Sequence, residues 1–399
     1  MNCFTKVAHL LYYHKPIVMK SCLFAFLMML IPFLGCGQEN YKFSHPVSEY
    51  RGGSMHPVVD LSGFAPGLGS RPRNIILLIG DGMGVSQLYA GITANRGALN
   101  ITQMPYVGFI MTHSANKYVT DSAAGGTALA TGQKTNNGAI GVDVNGNTIP
   151  TILEIADSKG LHTGLVSTSA ITHATPASFI AHVPSRGSYE DIATFFTGIG
   201  IDVFMGGGRL HFESRADGRH LSNELTSKGF RVVNALNDAI EAKTTPLAAL
   251  VADEHIARYP ERGDYLPLAT AKSAELLSSN ASGFFLMVEG SQIDWGGHQN
   301  DAIYVVDEML DFDRAVGKAL EFALRDQNTL VVVTADHETG AMSLINGDFE
   351  TGGVRAVFAS EDHSGVMVPV FAFGPGAERF MGFYHNTDIF LKMKEVWGF

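Results

Sequence analysis

Six short apolar runs punctuate the chain, at residues 74–80, 163–167, 202–205, 284–288, 329–333 and 368–373. They lack the strict apolar–polar alternation of a half-exposed strand. Each therefore predicts a strand buried on both faces, as central parallel strands are. Helical patterns lie between them, at 152–159, 266–279 and 304–326. Strand alternating with helix predicts an α/β fold: a three-layer αβα sandwich around a central, mostly parallel sheet.

The predicted strands share an ending. Asp81 follows the first, Glu289 and Asp294 follow the fourth, and Asp336 with His337 follow the fifth. In open α/β sheets ligands bind beyond the carboxyl ends of the strands. Several such endings in one chain point to one shared, metal-capable site.

The N-terminus has a different pattern. Lys6, Lys15 and Lys20 precede an apolar run at 22–34, too short for a comfortable membrane span. A basic segment followed by such a run predicts a signal peptide over 1–36, with either Met1 or Met19 as the start. The run ends Phe33-Leu34-Gly35-Cys36, similar to a bacterial lipobox. Lipidation of Cys36 and ordinary cleavage nearby both remain open. The expected location is the bacterial cell envelope, periplasmic or membrane-anchored. Residues 37–72, with scattered Gly, Pro and Ser, predict a tether and N-terminal strap, leaving 73–399 as the main folded domain.

Cys3, Cys22 and Cys36 are the only cysteines, so the mature chain has no thiolate for metal or substrate. Any zinc must be held by His and carboxylate. The formal net charge of -11 argues against a nucleic-acid-binding surface. An acidic protein acting on an anion needs local positive charge, and bound cations supply it.

Six motifs carry candidate chemistry. Gly80-Asp81-Gly82-Met83-Gly84 exposes a carboxylate among glycines at a strand end, which fits a metal ligand better than a dinucleotide loop. Thr120-Asp121-Ser122-Ala123-Ala124-Gly125-Gly126 places a hydroxyl where a helix can begin, and helix N-termini favour anions. No G-x-S-x-G elbow surrounds Ser122, and taken alone the pattern reads more readily as a helix cap by Asp121 or Ser122. The third motif, Thr172-His173-Ala174-Thr175-Pro176, is followed by Arg186, whose planar fork suits two phosphate oxygens. In Glu289-Gly290-Ser291-Gln292-Ile293-Asp294-Trp295-Gly296-Gly297-His298, Asp294 and His298 are four apart, so one helical turn brings them together. Thr334-Ala335-Asp336-His337-Glu338-Thr339 and His363-Ser364-Gly365 complete the set. Gly132-Gln133-Lys134-Thr135 hints at a P-loop, but its glycine spacing is wrong.

In this order, from about residue 74 to the C-terminus, the six motifs resemble the alkaline phosphatase family. The resemblance implies an alkaline-phosphatase-like fold and a phosphate monoester hydrolase with two Zn2+ and one Mg2+. It makes Asp294, His298 and His363 the ligands of the first zinc. Asp81, Asp336 and His337 would hold the second. Asp81 would also bridge to magnesium, together with Thr175 and Glu289. Ser122 would be the nucleophile that becomes a phosphoserine, and Arg186 the phosphate clamp. Two positions depart from the best-known bacterial pattern: His173 stands where it has an Asp near magnesium, and Trp295 where it has a Lys. Both are expected to act just behind the ligands, and they resemble another branch of the family. Broad specificity for small phosphate monoesters is expected, because the segment 338–362 is short for an inserted surface domain. The family also implies a homodimer.

Three other readings compete. A related phosphodiesterase would prefer diesters and typically lack the third metal site. A noncatalytic surface lipoprotein that binds metal or phosphate would not need Ser122 or Arg186. A serine esterase would ignore chelators.

Overall fold

The computed structural model describes residues 44–64 and 71–399. The expected leader, with Cys36 and both candidate starts, lies outside the described residues.

Ten strands form one sheet. In spatial order they are β15 (Gly382–His385), β3 (Tyr106–Met111), β14 (Val368–Phe373), β9 (Thr329–Thr334), β2 (Asn74–Gly80), β8 (Phe284–Gly290), β4 (His162–Ala170), β5 (Val203–Gly207), β7 (Leu247–Leu250) and β6 (Arg231–Val233). Every pairing is parallel except those of β14, which runs antiparallel to β3 and β9. All residues of β2, β8 and β9 are buried, which is why these runs carry no alternation.

The sixth apolar run is thus the exception within a parallel sheet. A parallel neighbour needs a crossover back to the starting end. Here the chain passes from β9 to β14 through β10 (Glu338–Thr339), β11 (Met342–Asp348), β12 (Gly353–Phe358) and β13 (His363–Ser364), with no helix between. It stays near the carboxyl end of β9 and returns antiparallel. The strands of this sheet absent from the sequence reading, β3, β6, β7 and β15, are edge or near-edge strands. β3 is only partly buried and β6 has three residues.

Helices cover the sheet in two groups. Ala302–Asp326 packs on Tyr265–Leu277 and Val85–Ala94, while Ser122–Thr131 packs on Thr387–Trp397 and Ile152–Ser158. The 25-residue helix starts at Asp301, whose carboxylate accepts from the Ile303 and Tyr304 N–H groups, and ends at Gln327 in the left-handed region. Its buried acids are paired. Glu308 and Asp311 meet Arg262, and Asp313 accepts from the Asn100 and Ile101 N–H groups.

The strap is tied down. β1 (Val47–Tyr50) pairs antiparallel with β12, which also pairs with β11. The His56 ring meets Asp313 at 2.7 Å, and the Val59 N–H donates to Asn100 at 2.9 Å. Among the described residues no helix is long and apolar enough to cross a membrane.

Register fixes the active end. Ser167 of β4 stands beside Glu289 of β8, Glu289 beside Ile79 of β2, and Ile79 beside Thr334 of β9. Asp81 and Asp336 lie just past that line, so three adjacent strands deliver carboxylates to one place.

Candidate metal centre

The turn after β2 requires glycine. Gly82 has φ +75°, and a Cβ there would lie 2.7 Å from Asp294 Cα. This contact presses the Asp81 turn against the helix Gln292–His298. That helix sets Asp294 and His298 one turn apart, with His298 Nε2 3.3 Å from Asp294 Oδ1. Pairing of β10 with β13 sets His363 opposite Thr339 and stacks its ring on His337 with centroids 3.5 Å apart.

The side chains gather into three groups: Asp294, His298 and His363; Asp81, Asp336 and His337; and Asp81, His173 and Glu289. Within each, the candidate ligand atoms lie within 4.8 Å of one another. Asp81 belongs to two groups. The sequence reading put His173 just behind the ligands; in the structure a ring nitrogen of His173 lies with Asp81 and Glu289 in the third group. Thr175, also expected here, is fully buried at the start of the short helix Ala174–Ala177.

These groups fit divalent cations. Both Asp81 oxygens, Glu289 Oε1, Asp336 Oδ2, Thr175 Oγ1 and His173 Nδ1 are buried with no hydrogen-bond partner from the protein. Such orphans are costly unless something polar completes them. The opposite oxygens are satisfied: Glu289 Oε2 accepts from Ser167 at 2.6 Å and Ser291 at 2.7 Å, and Asp336 Oδ1 from the His337 N–H at 3.0 Å. Each of these two carboxylates is thus anchored by one oxygen, leaving the other for a ligand.

The histidines are anchored in the same way. His298 Nδ1 donates to the Glu361 carbonyl at 2.6 Å and His363 Nδ1 to the Thr120 carbonyl at 2.9 Å. This leaves both Nε2 atoms facing Asp294 as ligand atoms. Thr339 hydroxyl meets Asp294 and lies 3.3 Å from His337 Nδ1.

Electrostatics agree. Burial, then the charges of Asp336, Asp294 and Glu289, push the Asp81 carboxyl well above its usual range. Burial and Asp294 push Asp336 up to about 7. Burial raises Glu289 despite its serine hydrogen bonds. Burial works to raise Asp294 as well, but hydrogen bonds from His298 and His363 hold it well below the usual carboxylate range. His337 is pushed far down by burial and by His363, so its ring is neutral and ready to ligate. The acids repel one another, and cations relieve that strain.

Ser122 opens the helix Ser122–Thr131 and its Oγ lies 3.2 Å from His337 Nε2. Asp121 caps that helix, accepting from the Ala124 N–H at 3.0 Å. Its other oxygen accepts from Arg186 Nη1 at 3.0 Å, so the cap also aims the guanidinium. The second Arg186 nitrogen, Nη2, stands 3.4 Å from His173 Nε2. Trp295 packs edge-on against His173, centroids 6.2 Å apart. Lys134 belongs to no phosphate loop: its ammonium braces the Asn386 side chain at 2.6 Å.

The sequence reading missed Asp121 as the Arg186 latch, the serines around Glu289, Thr339, and His255 beside Trp295. Asp121 had a signal, as the residue just before Ser122. The others come together only through folding.

The alkaline phosphatase family model matches residues 72–356. The chain belongs to the alkaline phosphatase family. This is a metal-dependent family of phosphate monoester hydrolases. Alkaline phosphatase 4 of Bacillus subtilis is 35% identical, over 79% of this chain and 87% of that one. The structure of alkaline phosphatase from the Antarctic bacterium TAB5 superposes with a TM-score of 0.78 at 42% identity, over 83% of this chain and 99% of that one. A histidine-to-aspartate variant of the TAB5 alkaline phosphatase was solved with Mg bound in its M3 site.

Proposed function

We propose that this alkaline phosphatase hydrolyses small phosphate monoesters through a phosphoserine at Ser122, with two zinc ions and one magnesium ion. One observation carries the reading: three groups of metal-capable side chains, two of them sharing Asp81, lie around a serine hydroxyl and a latched arginine. Asp294, His298 and His363 would hold one zinc, and Asp81, Asp336 and His337 the other. Imidazole with carboxylate suits zinc. Asp81, Glu289 and Thr175 would hold magnesium through oxygen, with His173 beside them.

Bound there, the cations supply Lewis-acid charge that lowers the pKa of a hydroxyl or water and shields the phosphate dianion. The chain does the rest. Ser122 Oγ attacks phosphorus, the P–O bond to the alcohol breaks, and the alcohol leaves as the phosphoryl group passes to the serine. Arg186, held by Asp121, grips the oxygens that gain charge. Water then attacks the phosphoserine, releasing inorganic phosphate and restoring the hydroxyl. The N-terminus of the Ser122–Thr131 helix favours negative charge at both stages.

Export of the mature chain, by cleavage near Cys36 or by lipidation of it, and homodimer formation are parts of the same proposal. N-terminal sequencing of the mature protein and its mass in solution test them. The activity test is p-nitrophenyl phosphate hydrolysis across pH 7 to 10, before and after EDTA, with zinc and magnesium then restored. Activity that rises with pH, is lost to chelator and returns with both metals supports the proposal. Preference for bis-p-nitrophenyl phosphate contradicts it and points to a diesterase.

A further inference from the structure

His255 lies on no strand or helix and in none of the three ligand groups, yet it is presented with care. The segment beyond β7 is clamped along its length. The Arg209 N–H donates to Ala252 O at 3.0 Å, and the Leu210 N–H to Asp253 O at 3.1 Å. The Gly208 N–H donates to Glu254 O at 2.6 Å. On the far side the Gln292 side chain donates to Ile256 O at 2.8 Å. A Cβ on Gly207 would lie 2.0 Å from Glu254 O, so only glycine allows this approach. The ring itself is fixed by the Ala170 N–H, which donates to His255 Nδ1 at 3.0 Å. A backbone N–H can only donate, so Nδ1 carries no proton and the ring is the neutral tautomer with its hydrogen on Nε2.

This ring stands nearly perpendicular to two others. Its centroid is 4.8 Å from the Trp295 ring at 75° and 5.5 Å from the His173 ring at 88°. Edge-to-face pairs of this kind are directional contacts that set ring orientation. His173 in turn stands 3.4 Å from Arg186 and within the group of Asp81 and Glu289. Arg186 is thus held on one nitrogen by Asp121 and flanked on the other by a ring that His255 supports.

We propose that His255 is a positioning residue for the phosphate site, fixing the His173 ring against Arg186 and the Trp295 ring beside His173. The inference rests on the phosphatase reading of that site and extends it to the loop after β7. Its removal lets both rings rotate, so Arg186 meets phosphate in a looser frame. The effect falls on substrate and product phosphate rather than on folding.

The test uses a Trp397→Phe parent, in which Trp295 is the sole tryptophan of the two. In His255→Asn the amide oxygen still accepts from Ala170 but the ring is gone. We expect an unfolding temperature close to the parent's, Trp295 emission shifted to longer wavelength, and stronger quenching by acrylamide. We expect kcat/KM to fall about tenfold and the inhibition constant for inorganic phosphate to rise about fivefold, well within what a displaced positioning group costs. His255→Phe keeps a ring beside Trp295 without the acceptor, and retains the parent emission and most of the phosphate affinity. Unchanged phosphate inhibition in the Asn variant, or equal losses in the Asn and Phe variants, overturns the inference. A parent that hydrolyses no monoester refutes the phosphatase reading instead, and the emission shift still decides whether His255 holds Trp295.

Discussion

Removing the cations makes the stability of this chain depend on pH, in a window set by its own side chains. In the chelated protein burial and Asp294 push Asp336 up to about 7. Burial and neighbouring acids push Asp81 well above its usual range. The hydrogen bond to Asp294 raises His298 to about 9. All three pKa values are raised, so each group keeps when folded a proton that the unfolded chain releases. Stability is then lost as pH rises through the folded values. At lower pH buried histidines oppose this, two of them in the candidate metal groups. Burial lowers His173 to about 3 and His337 well below its usual 6.5, so both are neutral folded and protonated unfolded. Above about pH 6.5 the unfolded histidines are neutral too and the opposition ends. The window is therefore about pH 6.5 to 9. The rise of His298 from 6.5 to about 9 would be worth about 3 kcal/mol for a buried group. Its side chain is 36% exposed, and screening by water cuts this to about 1 kcal/mol. Fully buried Asp336 contributes about 1 kcal/mol more as pH passes its value. The sum, about 2 kcal/mol, moves a melting temperature by a few degrees. The cations of the proposed site would take the place of these protons. Calorimetry of metal-loaded and EDTA-treated protein across the window should show the gap between their melting temperatures widening with pH. A gap that stays constant or narrows shows that these protons do not set the stability of the metal-free fold.

Three further outcomes follow from the geometry. Arg186→Lys keeps the charge but loses the fork, so kcat/KM should fall about 100-fold, with KM and the phosphate inhibition constant both raised; unchanged phosphate inhibition counts against the clamp. Gly82→Ala forces an L side chain into φ +75° and onto Asp294. It should cost about 3 kcal/mol in denaturant unfolding and lower the zinc content measured by elemental analysis; a variant with parental stability and zinc shows that the turn tolerates a side chain. His173→Asp gives the third group an all-oxygen set, so magnesium should activate at lower concentration; an unchanged magnesium titration contradicts the placement of His173.

The sequence carried most of the central sheet and the motif residues of the site for different physical reasons. β2, β8 and β9 are buried on both faces, so they read as continuous apolar runs. The candidate ligands sit at the ends of those runs, where a carboxylate or imidazole stands out against apolar neighbours. The direction of β14 was not legible, because an apolar run says nothing about which way it is threaded. β3 and β6 were invisible because strands at or next to the sheet's edges are short or half-exposed. Asp121 looked like a helix cap and is one; its second partner, Arg186, is 65 residues away. His255 and Ser167 have no local signal at all. Their partners, Trp295 and Glu289, reach them only across neighbouring strands and loops.

In the proposed reaction phosphate passes through a covalent bond to Ser122. The most direct measurement is acid quenching of the metal-loaded enzyme during turnover of p-nitrophenyl phosphate, followed by mass spectrometry of its peptides. A phosphoryl group is expected on Ser122, and none in Ser122→Ala, which keeps its metals but loses turnover. A phosphoryl group on another residue, or undiminished hydrolysis by Ser122→Ala, would contradict it.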